Sequence, residues 1–321
     1  MLSRVASSIY WMARYVERAE NLARFIEVAS SFSLDQPDSG VEQWEPLVRA
    51  TGDEEYFRNK FGEFSADNVK AFLTFDAEYH SSILTSVNCA RENARTVREV
   101  ISSEAWEELN TLYHFVREAS LRQMSQEPAF YDDVVQHCYK FTGILNSTMT
   151  RDAGWHFANV GQSLERADKI SRILDVKYFT LLRTINDVDT PMDDLLWSAV
   201  LRSACGFEMF RKEFHAITVR RVVNFLILNP RFPRAIRHCV EEARESLSQV
   251  SGPVPDLQND SLLKAELLIA ELCSTDDDTI INQGMHEFID ALQKSLNEIA
   301  SAVDTTYFAR RPFPEIQQQQ Q

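Results

Sequence analysis

The sequence predicts an all-α protein: a helical bundle of roughly ten or more mostly antiparallel helices with an internal pseudo-repeat. Three observations predict it. Only 9 Gly and 10 Pro occur in 321 residues, too few for a chain rich in tight turns. Apolar residues recur at alternating spacings of four and three over long windows, the period of one helix face. No segment alternates with the two-residue period of a half-buried strand.

In the first segment Val5, Ile9, Met12, Val16, Ala19, Ala23 and Ile26 form one apolar seam, predicting a helix from about Ser3 to Phe32 and a loop over Asp35 to Gly40. Asp53 to Asp67 is polar with scattered aromatics and reads as a short helix with a connection. Ser82 to Ile101 reads as a helix, and another begins at Ser102 or Ser103, either of which suits an N-cap. Tyr131 to Met149 and Trp155 to Leu182 follow, then a break at Asn186 to Pro191, with Pro191 placed to open the next helix. Met192 to Phe214 and Thr218 to Leu228 read as helices. The Asn229-Pro230 and Phe232-Pro233 pairs stop and restart the chain before a helix from Pro233 to Val250. A linker at Ser251 to Asp256, helices at Ser261 to Cys273 and Gly284 to Phe308, and a Gln-rich tail at Gln317 to Gln321 complete the reading. Residues 1–310 are expected to form one helical domain with halves of about 1–150 and 151–310, and 311–321 a disordered tail.

Composition narrows the function classes. A chain of this length buries a sizeable core without disulfide or metal staples, and 44% hydrophobic with 25% charged residues is a globular composition. The formal net charge of -15 repels nucleic acid and anionic lipid, so neither is an expected partner. Cys89, Cys138, Cys205, Cys239 and Cys273 are odd in number and never form a CxxC pair, which argues against a disulfide framework or zinc site and fits the reducing cytoplasm. Met1 leads into a mixed helix without the apolar region of a signal peptide, and the strongest apolar run, Val222 to Leu228, is too short to span a bilayer.

The most informative feature is internal. Ile9 to Val28 resembles Phe157 to Val176 at an offset of 148, with Val16-Glu17-Arg18-Ala19-Glu20 matched by Leu164-Glu165-Arg166-Ala167-Asp168, and Arg24 by Arg172. Either a duplicated bundle or two equivalent central helices accounts for it. At 100° per residue, Arg14, Glu17, Asn21 and Arg24 share one narrow polar stripe, and Gln162, Glu165, Lys169 and Arg172 share its counterpart. Arg18 and Arg166 fall instead in apolar sectors, where a guanidinium is costly unless it meets acceptors or reaches solvent. Glu20 to Arg24 and Asp168 to Arg172 are favourable acid-to-base pairs at i,i+4.

Two readings follow. Arg18 and Arg166 pair internally with acids of neighbouring helices and tie the halves together, the favoured reading. Alternatively the stripes line a cleft in which Arg14, Arg18, Glu20, Asn21, Arg24, Arg166, Asp168 and Arg172 bind an anion, with Glu17 or Glu165 as candidate general acid or base. Arg91, Arg95 and Arg98 on one face form a secondary anion candidate, and Arg231, Arg234 and Arg237 a similar set, both read first as solvated faces. No Glu-x-x-His, HExxH, Gly-rich phosphate loop or GxSxG occurs, so no metal and no cofactor is expected.

The run Tyr10 to Asn21, the block Ala90 to Arg95 with Trp106, Leu109 and Asn110, the block Leu164 to Asp168 with Arg172 to Val176, and Phe232-Pro233-Arg234 with Ile236 and Cys239 together resemble the bacterial alpha-E domain family, over roughly residues 1 to 310. Ala13 stands where that family leads one to expect glycine, and Asp53 to Asp67 matches nothing in it. The resemblance implies an all-helical protein encoded beside, or fused to, a circularly permuted ATP-grasp protein, often with a transglutaminase-like protein. It implies an accessory or substrate-binding subunit of a peptide- or amide-bond-forming system, with a peptide or carboxylate-bearing small molecule as substrate and the ligase chemistry on the partner. An enzyme in its own right and a structural helical adaptor are the alternatives.

Overall fold

The computed structural model describes residues 1–35, 44–181, 191–251 and 259–309, as fifteen α-helices and no strand among the described residues. α1 (Ser3–Asp35) and α8 (Ala153–Leu181) carry the two Glu-Arg motifs and pack against each other. Around α1 stand α5 (Ile83–Arg95), α6 (Ser103–Leu121) and α7 (Pro128–Thr148). Around α8 stand α12 (Ile236–Ser251), α13 (Asp260–Ser274) and α15 (Met285–Val303). The pairings run in parallel: α1 touches α5 and α7, which are bridged by α6, and α8 touches α12 and α15, which are bridged by α13. Each motif helix is therefore the inner member of a four-helix group, and the two groups meet along α1 and α8.

Burial explains the placement. Ile9, Met12, Val16, Ala19, Ala23 and Ile26 of the predicted seam are all essentially inaccessible, as are Val160, Leu164, Ala167, Ile170 and Leu174 of α8. Their helices approach closely because Gly161 has no side chain: a Cβ there would lie 2.3 Å from the Tyr10 carbonyl oxygen of α1. Helix starts follow the expected chemistry. Ser82, Ser102, Thr218 and Asn259 each accept a hydrogen bond from a backbone N–H three residues on, so Ser102 is the N-cap of α6.

Several boundaries differ from the sequence reading. The short helix and connection read over Asp53 to Asp67 are α3 (Glu54–Phe61) and the residues after it, but α2 (Glu45–Arg49) before them and most of α4 (Ala66–Phe75) after them lie outside that reading. The scattered aromatics are the reason: Phe57 stacks on Phe64 at 4.8 Å and Phe72 on Tyr79 at 4.0 Å, a local core that short helices suffice to build. α5 stops at Arg95, and 96–101 are turns.

The predicted Met192 to Phe214 helix is two, α9 (Pro191–Ser203) and α10 (Phe207–Glu213). Gly206 N–H bonds to the Leu201 carbonyl and Cys205 N–H to that of Arg202, a Schellman turn in which Cys205 takes the left-handed φ of 53° that glycine ordinarily fills. α11 (Val219–Val223) passes into a π turn at Asn224–Leu228. α12 begins three residues later than expected, and α14 (Asp277–Gln283), unread in the sequence, precedes α15. The predicted loop at 36–40, break at 186–190, linker at 252–256 and Gln-rich tail lie outside the described residues. No helix among the described residues is long and apolar enough to cross a membrane.

Gly161→Ala tests the close approach. Helix propensity alone favours alanine by about 1 kcal/mol, but a methyl group against a backbone carbonyl forces the helices apart at a cost of about 1–3 kcal/mol. A lowered thermal midpoint is expected, and an unchanged or raised one would refute the constraint.

Candidate functional site

The two motifs cross-pair. The Arg166 guanidinium holds Glu17 bidentately, Nε to Oε1 at 2.9 Å and Nη2 to Oε2 at 2.8 Å. The Arg18 guanidinium holds Glu165 in the same way, at 2.6 and 3.1 Å. The acid that each arginine requires is the motif glutamate of the other helix. The planar fork of arginine matches a carboxylate edge, and each pair forms two charge-assisted hydrogen bonds.

The flanking partners repeat the same pattern. Arg14 donates to Glu165 Oε2 at 2.8 Å, and its counterpart Gln162 donates to Glu17 Oε2 at 3.0 Å. Asn21 donates to Glu17 Oε1 at 3.1 Å, and its counterpart Lys169 stands 3.5 Å from Glu165 Oε1. Outside these, Arg24 chelates Glu20 and Arg172 chelates Asp168. Aromatic rings of their own helix flank Arg14 and Arg18: Tyr10 and Trp11 the first guanidinium at 5.5 and 5.1 Å, and Tyr15 the second at 5.4 Å.

One arginine from outside the two motif helices joins only one of the two sides. Arg234, just before α12, donates to Glu17 Oε1 at 3.1 Å and to Glu20 Oε2 at 2.6 Å. It is 6% exposed, so the expectation of a solvated arginine set at 231, 234 and 237 is corrected for its middle member. Arg231 is exposed beside Glu213, and Arg237 pairs with Glu241. The Nη1 atoms of the two motif arginines reach out alike, Arg18 to Ser81 Oγ at 3.4 Å and Arg166 to the Pro233 carbonyl at 3.5 Å. The Phe232-Pro233-Arg234 block was the sequence signal that set this arginine apart.

Electrostatics follow from the packing. Burial alone pushes the Glu17 carboxyl up, but the Arg166 and Arg234 guanidiniums overcome it and hold it at about 2. Glu165, equally buried, is held well below the usual carboxylate range by Arg18, Lys169 and Arg14. Asp168 is lowered by Lys169 and Arg172 against the same burial. A general acid or base working near neutrality needs a pKa near that pH, and these carboxylates are pinned far from it. The ion pairs join Glu17, Glu20, Glu165 and Asp168 to seven cations: Arg14, Arg18, Arg24, Arg166, Lys169, Arg172 and Arg234. A protein that is acidic overall thus has a cationic surplus at its centre.

That surplus reaches open space at one end. A cavity of about 690 Å³ lies between the second half of α1 and the α9–α10 turn, and Arg24 forms part of its wall. Behind Arg24, Nη2 donates to the Tyr139 hydroxyl at 2.8 Å, and that hydroxyl lies 3.3 Å from the Cys205 thiol. Burial pushes the Cys205 thiol up, so it is an uncharged neighbour rather than a thiolate. Beside Gln162 a second space of about 20 Å³ has room for one water.

The secondary candidates do not join this centre. Arg91 donates to Asn110 and Glu92, Arg95 to Glu92, and Arg98 lies over the Trp106 ring at 4.7 Å. Asp175, His286 and Asp290 place ligand-type atoms within 4.8 Å of one another. Each ring nitrogen there meets a different carboxylate, Nδ1 with Asp175 at 2.7 Å and Nε2 with Asp290 at 3.5 Å, which makes the imidazole a bridge between α8 and α15.

Removing one partner of a buried pair costs about 3–5 kcal/mol. Arg18→Ala leaves Glu165 with Arg14 and Lys169, so a loss of about 3 kcal/mol is expected; Glu165→Ala strips Arg14 and Arg18 of their shared acid and is expected to cost about 5 kcal/mol. Denaturant unfolding of both variants measures the order, and its inversion would refute cross-pairing as the source. The pH dependence has a definite sign. An unfolded Glu titrates near 4.3, above the folded Glu17 value of about 2, so the unfolded chain binds protons first. The Glu17 contribution is full above the unfolded value and is lost as pH falls through the folded one. Glu17→Gln should flatten the stability profile below about pH 4.5, and an unaltered profile would contradict the assignment.

Three mycobacterial relatives align along 95% of this chain: an uncharacterized protein of Mycobacterium bovis at 24% identity and uncharacterized proteins of two Mycobacterium tuberculosis strains at 24% and 23%. The aligned part is 37% of the length of each relative. No solved structure matches. Residues 1–308 match Alpha-E, a family described as a predicted alpha-helical domain with a conserved ER motif, and the chain belongs to that family.

Proposed function

We propose that this protein is the accessory or substrate-binding helical subunit of a peptide- or amide-bond-forming system, working in the cytoplasm with an ATP-grasp-type ligase and in the company of a transglutaminase-like protein. The observation that carries the reading is the state of the motif carboxylates. Glu17 and Glu165 are buried, saturated with cationic donors and held ionised. They suit a rigid scaffold for binding better than proton transfer, which weighs against the chain being an enzyme in its own right. Two further observations support it. The relatives extend far beyond the aligned region, leaving room for a fused catalytic part in those chains. The five cysteines are free thiols, as a reducing compartment allows.

A structural-adaptor reading is favoured by one feature. Leu263 and Leu267, four residues apart on α13, are 51% and 62% exposed, an apolar step on an outer helix.

Co-expression with an ATP-grasp-type protein from the same genome separates the readings. Association at micromolar concentration and partner-dependent amide formation are expected, and no association would overturn the proposal. Under the adaptor reading, Leu267→Asp abolishes association without lowering stability; under the substrate-binding reading it leaves amide formation intact.

A further inference from the structure

We propose that the cavity between α1 and the α9–α10 turn binds a small zwitterion with an apolar body, of the amino-acid or dipeptide class: its carboxylate against Arg24 and Arg202, its ammonium against Glu27. This deepens the substrate-binding reading and rests on it. The volume of about 690 Å³ falls in the range of small-molecule sites.

Charges of both signs line the cavity. Arg24 is fixed from behind by Glu20 and Tyr139, with the Tyr139 ring 5.5 Å from its guanidinium, so little rotamer freedom is left to lose when a ligand arrives. Its Nη1 makes no hydrogen bond to any described residue. From the last turn of α9, Arg202 enters with its guanidinium over the Phe207 ring at 4.2 Å and no carboxylate partner among the described residues. The free Nη1 of Arg24 and the guanidinium of Arg202 can together grip a carboxylate while the Arg24–Glu20 pair stays intact. Glu27, one helical turn beyond Arg24, is half-buried and its carboxyl is raised by that burial, a cost that a bound ammonium offsets. Val28, Leu195 and Phe207 supply the apolar wall.

The helices that form the cavity are also incompletely satisfied. Ser30 Oγ on α1 and Trp197 Nε1 on α9 are buried without hydrogen-bond partners among the described residues. An unpaired buried donor costs free energy. Through Arg24, Glu20 and Arg234 the cavity is joined to Glu17, so a bound carboxylate adds the anion that the cationic centre is short of.

Calorimetric titration of the full chain alone, with free leucine, free phenylalanine and the dipeptides Ala-Leu and Ala-Phe, tests the assignment, and so do the C-amidated and N-acetylated forms of the two dipeptides. Binding at roughly millimolar concentration or tighter is expected for at least one free-ended probe. Amidation or Arg202→Gln should each weaken it about tenfold, and Glu27→Gln should abolish the preference for a free amine over the acetylated form. Arg202 is exposed and outside the ion-pair centre, so its variant is expected to fold. No binding of any probe to the folded chain, or equal binding by Arg202→Gln or to the blocked forms, would overturn the proposal. Because no ligase is present, failure here is separate from failure to associate with one.

Discussion

Taking a carboxylate out of water costs several kcal/mol even after relaxation, and only opposite charge at hydrogen-bond distance with filled lone pairs returns it. Glu17 and Glu165 satisfy that demand across the α1–α8 contact, each gripped by the arginine of the other helix. The geometry is possible only because the backbones come close, and they come close because residue 161 is glycine. Apolar packing along Ile9, Met12, Val16 and Ala19 then settles around an axis that the charges have fixed. Ion pairs of this kind add less to stability than their number suggests, but they penalise every alternative register of the two helices, and so they specify one arrangement.

Much of this was legible in the sequence. The seam of α1, the start of α6 at one of Ser102 and Ser103 and the matching motifs within α1 and α8 all rest on local spacing, and local spacing survives folding. The apolar position of Arg18 on the wheel said that it needed an acceptor, but not which one, because Glu165 is 147 residues away and no local rule reaches that far. Arg234 was misread for the same reason: its spacing of three makes it look like Arg231 and Arg237, and spacing does not show which of the three is buried. The break between α9 and α10 was hidden because Cys205, not glycine, occupies the left-handed position. In α2 to α4 the polar average of the segment masked an aromatic core built from its minority residues.

The near-symmetry also bears on function. A scaffold whose two halves were fully equivalent would offer two equivalent openings. Here Arg234 brings Glu17 a second arginine, from outside the two motif helices, whereas the cations on Glu165 (Arg14, Arg18 and Lys169) all come from those helices. The cavity that adjoins Arg24 lies on the side that Arg234 enriches, so departure from symmetry and access to solvent coincide. A duplicated framework has in this way become directional, with a stiff closed centre and one open end.

Reciprocal pairing has a consequence for how the chain is made. As the polypeptide leaves the ribosome, Glu17 and Arg18 appear first, and the residues that neutralise them, Arg166 and Glu165, follow almost 150 positions later. Until then the first four-helix group carries an unpaired carboxylate and an unpaired guanidinium on the face that later becomes interior, and water must keep them solvated. Closing the molecule therefore requires a contact of very long sequence separation, which slows the committing step and leaves an early half-molecule exposed to wrong partners. The second motif helix acts as the completion signal for the first, and a nascent or truncated chain that lacks it is marked by an open, charged face.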